Sequence, residues 1–445
     1  MSATERAASR CDRLVRELQA EHRVPALTAA VARADRPLWT CSVGEAAPGE
    51  PATADTALRI GSITKTFTAV LVMQLRDQGL LDLDDPLSRH LDVPAHGDLT
   101  VRRLLTHRSG LQREPPGDMW DSLQVPDADQ LVAGLTQAER VLPPERRWHY
   151  SNLAYTLLGA LVAEQARATW AEVLQDRLLG PLGLQDTGMH PVGRVATGYL
   201  VEAFSDVIHP EPTTDFAGMA PAAQLWSTAS DLARWAMFLA APASEVLAPA
   251  TLEEMCQLTT VTDNEEWRVG WGLGLILVHQ GDRTVHVGHD GAMPGFLAGA
   301  YTRRSDRISA VALGSSGTAS ATCELPHALI AASLEEDPLE VTPWRPGAPP
   351  PEHLRSVLGP WWTEGMEFVL SWHDGHLEAR SRAAAKGRPP AVFAVETDDL
   401  LRVVSGREAG EQLRLTRDAD GNVVTMHWAT YPCTRTQQTF GSAPG

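Results

Sequence analysis

Gly61-Ser62-Ile63-Thr64-Lys65 is the stretch on which the reading of this chain turns. It stands where an extended run, residues 57–60, meets a helix predicted over 62–79. Phe67, Val70, Leu71, Val72 and Leu75 give that helix apolar faces wide enough for burial, and Gly79 fits its stop signal. A serine at a helix N-terminus gains from the positive end of the dipole, and a residue three positions on lies on the same face one turn later. A serine hydroxyl is a weak nucleophile until a base takes its proton. Arginine cannot act as that base, whereas a desolvated lysine can. Of 38 Lys and Arg residues only Lys65 and Lys386 are lysine. With so few lysines, roughly 0.1 chance S-x-x-K matches are expected. Ser62 is therefore the candidate nucleophile and Lys65 its activating base. The plainer alternative is an N-cap serine followed by a solvated lysine.

Two further motifs lie downstream. Tyr150-Ser151-Asn152 precedes a helix predicted over 153–164, in a chain with five tyrosines and three asparagines (Asn152, Asn264 and Asn422). A tyrosine beside a cationic amine is expected to have a lowered pKa and to shuttle protons. Asn152 can offer an amide N–H to a substrate carbonyl and its oxygen to Lys65. The plainer alternative makes Ser151 an N-cap and Tyr150 a packed aromatic. The third motif is Gly288-His289-Asp290-Gly291-Ala292-Met293-Pro294-Gly295-Phe296. Its glycines let a strand backbone pass close to a ligand, which places Asp290 and Gly291 beside the substrate. The Ala292 N–H can pair with that of Ser62 as an oxyanion hole. His289 can bind a substrate carboxylate or assist proton transfer. Otherwise this is a glycine-rich bulge with a surface histidine.

In this order, the three motifs resemble the serine β-lactamase and DD-peptidase (penicillin-binding protein) superfamily, in its class C β-lactamase-like branch of esterases and D-amino peptidases. Three more segments resemble that branch: Leu104-Leu105-Thr106-His107-Arg108-Ser109-Gly110-Leu111, Trp226-Ser227-Thr228-Ala229-Ser230-Asp231-Leu232-Ala233 and Gly270-Trp271-Gly272-Leu273-Gly274. The resemblance spans about residues 10–335. It implies an acylated Ser62, a Lys65–Tyr150 proton relay, substrate positioning by Asn152 and an oxyanion hole from the Ser62 and Ala292 backbones. The chain departs from β-lactamases where their Lys-Thr-Gly is His289-Asp290-Gly291 here. The lysine that would pair with a β-lactam carboxylate is missing, so antibiotic hydrolysis is not the expected main activity.

Around these motifs the pattern is α+β. A helix over 4–22 and strands over 26–31 and 38–43 begin the chain. Strands over 271–279, 284–286, 297–302 and 308–313 and a helix over 321–334 follow a helical middle. An antiparallel sheet built from both ends, flanked by helices and with an inserted helical subdomain, satisfies that order. The expected domains are a serine hydrolase domain (1–336), a Pro-rich linker (337–351) and a small antiparallel β domain (352–445), lipocalin-like by resemblance. Asp-Gly turns mark hairpins in the last of these. The polar segment 113–129 reads either as a flap over the site or as a plain surface loop.

Composition limits the function. The 445 residues carry a formal net charge of -18, which disfavours nucleic-acid and membrane-surface partners. Five cysteines without C-x-x-C spacing argue against a zinc site or a disulfide framework. No metal or cofactor is expected. Without an apolar N-terminal h-region or an 18-residue apolar run, a cytoplasmic location is expected. The substrate is then a small-molecule or peptidyl ester, amide or thioester, free or carrier-protein-bound. The readings are an esterase or D-stereospecific peptidase-like amidase, a penicillin-binding-protein-type thioesterase that releases and cyclises nonribosomal peptides, and a non-catalytic acyl-binding or sensor protein. Trp120, Trp148, Trp226, Trp267 and Trp271 are candidates to line an acyl pocket.

Overall fold

The computed structural model describes residues 1–281, 283–341, 343–384 and 388–439. The chain forms two compact units, Met1–Leu339 and Glu340–Gly445.

The first unit opens with α1 (Ala3–Glu21), started by a Ser2/Glu5 capping box. Two strands follow, β1 (Ala26–Arg33) and β2 (Arg36–Ala47), and then a short β3 (Glu50–Pro51). Late in the unit come β4 (Thr260–Val261), β5 (Val269–Trp271), β6 (Ile276–His279), β7 (Val285–Met293), β8 (Phe296–Arg303) and β9 (Ile308–Gly314). Among the described residues these make one nine-stranded sheet in the order β3-β2-β1-β9-β8-β7-β6-β5-β4. The pairing of β1 with β9, Ala29 opposite Ala312, joins the two ends of the unit. The sheet, the flanking helices and the helical middle make an α+β fold.

Helix α1 and the closing α5 (Ala321–Glu336) cover one sheet face through Cys11, Val15, Leu325 and Leu329. The other face carries α2 (Thr64–Asp77), α3 (Asn152–Ala166) and α4 (Ala229–Ala240). Every residue of α2 from Thr64 to Leu75 is buried, so the helix is packed on all sides, with Lys65, Thr66, Thr68 and Gln74 among its buried positions. Phe67 of α2 stacks on Trp235 of α4 at 3.7 Å between ring centroids.

Two sequence expectations change here. The strand over 271–279 is two strands, β5 and β6, turned at Gly274 with φ +82°. The strand over 284–286 runs on to Met293, so the glycine motif is the second half of β7 and not a bulge beside it. Asp282, placed in the turn before it, lies outside the described residues.

In the second unit a 3-10 turn (Glu352–Val357) leads into β10 (Gly359–Thr363), β11 (Met366–His373), β12 (His376–Ser381), β13 (Ala391–Thr397), β14 (Leu400–Ser405), β15 (Gln412–Arg417), β16 (Val423–Trp428) and β17 (Tyr431–Cys433). Each pairs antiparallel with the next. A bridge between Trp362 and Thr434, with hydrogen bonds of 2.9 and 3.0 Å, brings the last strand region back to the first and makes the sheet a near-barrel. The β11–β12 turn has positive φ at both Asp374 (49°) and Gly375 (81°), as a two-residue type I′ turn demands. At the proline-rich segment, Asp337 is held in the first unit by Arg33 at 3.5 Å and Arg36 at 3.0 Å.

Candidate active site

The turn that carries Ser62 is set by its neighbours on both sides. Leu58–Arg59 pairs antiparallel with Trp226–Ser227, and the Ile60 N–H donates to Leu225 O at 3.0 Å. The chain then makes a 3-10 turn, Gly61–Ile63, before α2 begins at Thr64. Ser62 thus precedes the α-helix and does not cap it, a correction to the sequence reading. Gly61 has φ +48°, and a Cβ there would sit 2.6 Å from Ala292 N. A Cβ on Gly291 would sit 1.9 Å from Ile60 O. Both glycines are needed because β7 lies directly against the backbone of this turn.

Lys65, on the first turn of α2, is fully buried, and its Nζ lies 3.0 Å from Ser62 Oγ. The same nitrogen is 2.7 Å from Asn152 Oδ1 and 2.9 Å from Ala222 O. Burial holds its pKa well below the usual lysine value; Glu114 pulls the other way and Arg113 adds to the lowering. Three oxygens orient the amine while desolvation favours its neutral form. A neutral amine 3.0 Å from a serine hydroxyl is a base in position.

Asn152 opens α3 and is fixed at both ends of its amide: Oδ1 accepts from Lys65, and Nδ2 donates to Glu114 Oε1 at 2.6 Å. One of the two N–H groups expected to face a substrate carbonyl is therefore engaged within the protein. Tyr150 rests on His107, with ring centroids 4.4 Å apart, and its ring lies 4.9 Å from Lys65 Nζ. Burial pushes its phenol up, and the Ser62 hydroxyl pulls less strongly the other way. The lowered pKa expected from a nearby cation is thus reversed, because the phenol itself is desolvated. Tyr150 stays a protonated phenol, fit to give a proton.

His289 comes from β7 and is 2% exposed. Its Nδ1 lies 2.5 Å from Asp290 O, and a carbonyl only accepts, so Nδ1 carries the proton. Nε2 is then a bare lone pair, buried and without a partner. Burial, helped by Lys65, holds the imidazole down to about 3. His289 is neutral near pH 7, which removes the expectation that it pairs with a carboxylate as a cation. Neighbouring strand residues point to opposite faces, so Asp290 turns toward Tyr301. Burial raises its carboxyl to about 7, opposed by the Tyr301 hydroxyl, and Oδ1 has no partner.

These groups surround a cavity of about 450 Å³ whose lining includes Ser62, Tyr150, His289, Asp290, Gly291 and Ala292. Of the five tryptophans considered for the acyl pocket, Trp148 and Trp271 line it. Trp226 is buried against Phe296, Trp120 touches Phe216 but is exposed, and Trp267 is 74% exposed. Arg113 also lines the cavity, its guanidinium 4.9 Å from the Tyr150 ring. Sequence reasoning did not single out Arg113, Glu114 or His107 as site residues. The backbone N–H groups of Asn152 and Leu153 both donate to Arg113 O, at 2.7 and 3.2 Å, and bring that loop to the site. His107 Nδ1 accepts from the Ser151 N–H at 3.1 Å, and its carbonyl from the His149 N–H at 2.8 Å, so it buttresses the Tyr150 segment.

A family profile described as Beta-lactamase matches residues 11–332. The chain belongs to the beta-lactamase family. Residues 350–435 of this beta-lactamase-family chain match a domain of unknown function, DUF7586. The chain is 31% identical over 302 residues to penicillin-binding protein 4 of Amycolatopsis lactamdurans, covering 62% of this chain and 77% of that protein. It is 28% identical over 278 residues to beta-lactamase-like protein 2 of Dictyostelium discoideum, covering 57% of this chain and 50% of that relative. The chain thus spans about half the length of some curated relatives. Among solved structures, SurE superimposes with a TM-score of 0.63 at 26% identity, covering 98% of this chain and 100% of SurE. A D-stereospecific amidohydrolase from a Streptomyces species gives 0.61 at 26% identity, over 70% of this chain and 94% of that one. The beta-lactamase family and the penicillin-binding-protein relatives give the first unit the architecture of serine hydrolases. No helix among the described residues is long and apolar enough to cross a membrane.

Proposed function

We propose that this protein transfers acyl groups through Ser62, acting on an ester, amide or thioester. The observation that carries the reading is the buried Lys65 amine between Ser62 Oγ and Asn152 Oδ1, at 3.0 and 2.7 Å. As Ser62 Oγ bonds to the acyl carbon, its proton passes to Lys65 Nζ. The carbonyl π pair moves onto oxygen, where the backbone N–H groups of Ser62 and Ala292 are assigned to receive it. Collapse expels the leaving group, which takes its proton from Tyr150, and Lys65 returns that proton to Tyr150. The acyl-enzyme then meets water or an amine, and the steps reverse.

The likeness to a D-stereospecific amidohydrolase and to SurE, a structure of which contains D-Leu, supports a D-configured residue on the acyl side or next to it. A second reading, transfer of a peptidyl thioester to an amine, free or from a carrier protein, is favoured by His289. Its neutral, unpartnered Nε2 belongs to the cavity lining, where it can accept a hydrogen bond from the N–H of an incoming amine. The test is intact-mass measurement of the protein with p-nitrophenyl esters, D-amino-acid amides and peptidyl thioesters ending in a D-residue. The reading expects an adduct on Ser62 that is absent in Ser62→Ala. Absence of any adduct, together with no labelling by a fluorophosphonate, would overturn it. A cyclic product from the thioester would decide for the second reading.

A further inference from the structure

The second unit contains a cavity with no part in the chemistry above, and its cause is legible strand by strand. Along each strand alternate residues face the barrel interior. One interior layer is bulky: Trp361, Leu370, Leu377, Phe393, Leu401, Leu413 and Met426 are all buried and fill the lumen. Toward the end where β10 turns into β11 and β12 leads to β13, the interior positions become small. Thr363, Ala379, Ser381 and Ala391 stand there, with Ala379 opposite Leu370 and Ala391 in the register. Small residues in place of large ones leave room that close packing elsewhere in the barrel does not. The result is a cavity of about 660 Å³ with all four of these residues in its lining, within the range of small-molecule sites.

The walls of that cavity carry information about an occupant. Phe368 and Trp428 meet edge to face at 5.6 Å and supply an aromatic wall. The Trp428 indole N–H is buried and has no hydrogen-bond partner. An indole N–H is a donor only, so it is matched by an acceptor. Met366 and Tyr431, 55% and 46% exposed, extend apolar surface to the mouth, where Arg407 is also found. We infer that the open end of this barrel is a binding site for a small molecule with an apolar body and a carbonyl or carboxylate acceptor. This inference does not depend on the function proposed for Ser62.

The experiment uses the full chain, with decanoate and decanamide as probes and Trp fluorescence and calorimetry as readouts. The same titrations are run on Ala379→Leu, which fills the lumen, and Trp428→Phe, which keeps the ring and deletes the donor. Saturable binding is expected, weakened at least tenfold by Ala379→Leu. Trp428→Phe should weaken it about fivefold, the worth of one neutral hydrogen bond. Hydrolysis of p-nitrophenyl esters and the melting temperature should be unchanged in Trp428→Phe, which covers the case in which the leucine variant folds poorly. If decanamide binds and decanoate does not, the acceptor is a neutral carbonyl; the reverse assigns a carboxylate. No saturable binding of either probe, or binding that both variants leave intact, would overturn the proposal.

Discussion

On the helical wall of the Ser62 cleft, Lys65 has three oxygen partners and Asn152 is held at both ends of its amide. On the strand wall, His289 Nε2 is buried with no partner. Leaving a buried polar group unpaired costs about 1–3 kcal/mol; on the helical side Glu114 Oε2 and His107 Nε2 are also without a partner, but neither residue lines the cavity. The Lys65–Asn152 pair is engaged before a substrate arrives, and this wall holds the groups that every acyl transfer needs. The strand wall has unspent hydrogen-bonding capacity, and it faces whatever distinguishes one substrate or acyl acceptor from another. Chemistry and selectivity are then separated across the cleft.

Substitutions on the helical wall should be severe and blind to substrate. Lys65→Arg puts a permanent cation in place of the neutral amine and removes the base, because a guanidinium does not deprotonate. A loss of at least about a thousandfold in kcat/KM is expected for every ester tested. Activity within tenfold of the parent protein would break the comparison at its strongest point. Tyr150→Phe should lower kcat by about a hundredfold or more, as for loss of a proton donor, with KM nearly unchanged in steady-state assays.

At the seam between the walls, Gly291→Ala places a methyl group into Ile60 O, 1.9 Å away, and must push β7 off the Ser62 turn. At least a tenfold fall in kcat/KM is expected, with a lower melting temperature. On the strand wall, His289→Gln should leave the rate of acylation within about twofold. It should reduce transfer to an added amine, relative to hydrolysis, by about three- to tenfold. Equal losses in both phases would place His289 with the general machinery and erase the division between the walls.

The subtlest effect concerns pH. Lys65 acts as the neutral amine, so activity falls as pH drops through its pKa. Glu114 raises that pKa and Arg113 lowers it. Glu114→Gln should therefore move the acid limb of kcat/KM to lower pH, and Arg113→Gln to higher pH. Shifts in the same direction, seen in pH–rate profiles, would show that the two residues act by packing and not by charge.

How much of this could be read from the sequence follows from locality. Ser62 and Lys65 lie three residues apart, and Tyr150 and Asn152 two, so each pair is a local pattern set off by the scarcity of its residue types. Glu114 and Arg113 belong to a proline-rich polar segment without periodicity. Only the tertiary bonds from Asn152 and Leu153 bring them to the site. The protonation states were also out of reach. They depend on burial, which reverses the expected direction for Tyr150 and neutralises His289. Strand β7 was under-read because Gly288 and Gly291 weaken a β pattern. Both are there to admit neighbouring backbone, Ala300 O and Ile60 O, into the space of a side chain. In the second unit the turn chemistry is explicit, and the two Asp-Gly turns mark β11, β12, β15 and β16; the other four strands lack such a signal.

The bridge from Trp362 to Thr434 that makes the sheet a near-barrel also bears on solubility. A sheet curled until its two edges meet offers another chain a shorter row of unpaired backbone groups. Removing the last strand, Tyr431–Cys433, together with Thr434 would uncover one edge along β10 and another along β16. Either could then take a strand from a second molecule. Shortening the chain by these few residues should therefore show itself less as a loss of catalysis in the first unit than as concentration-dependent self-association.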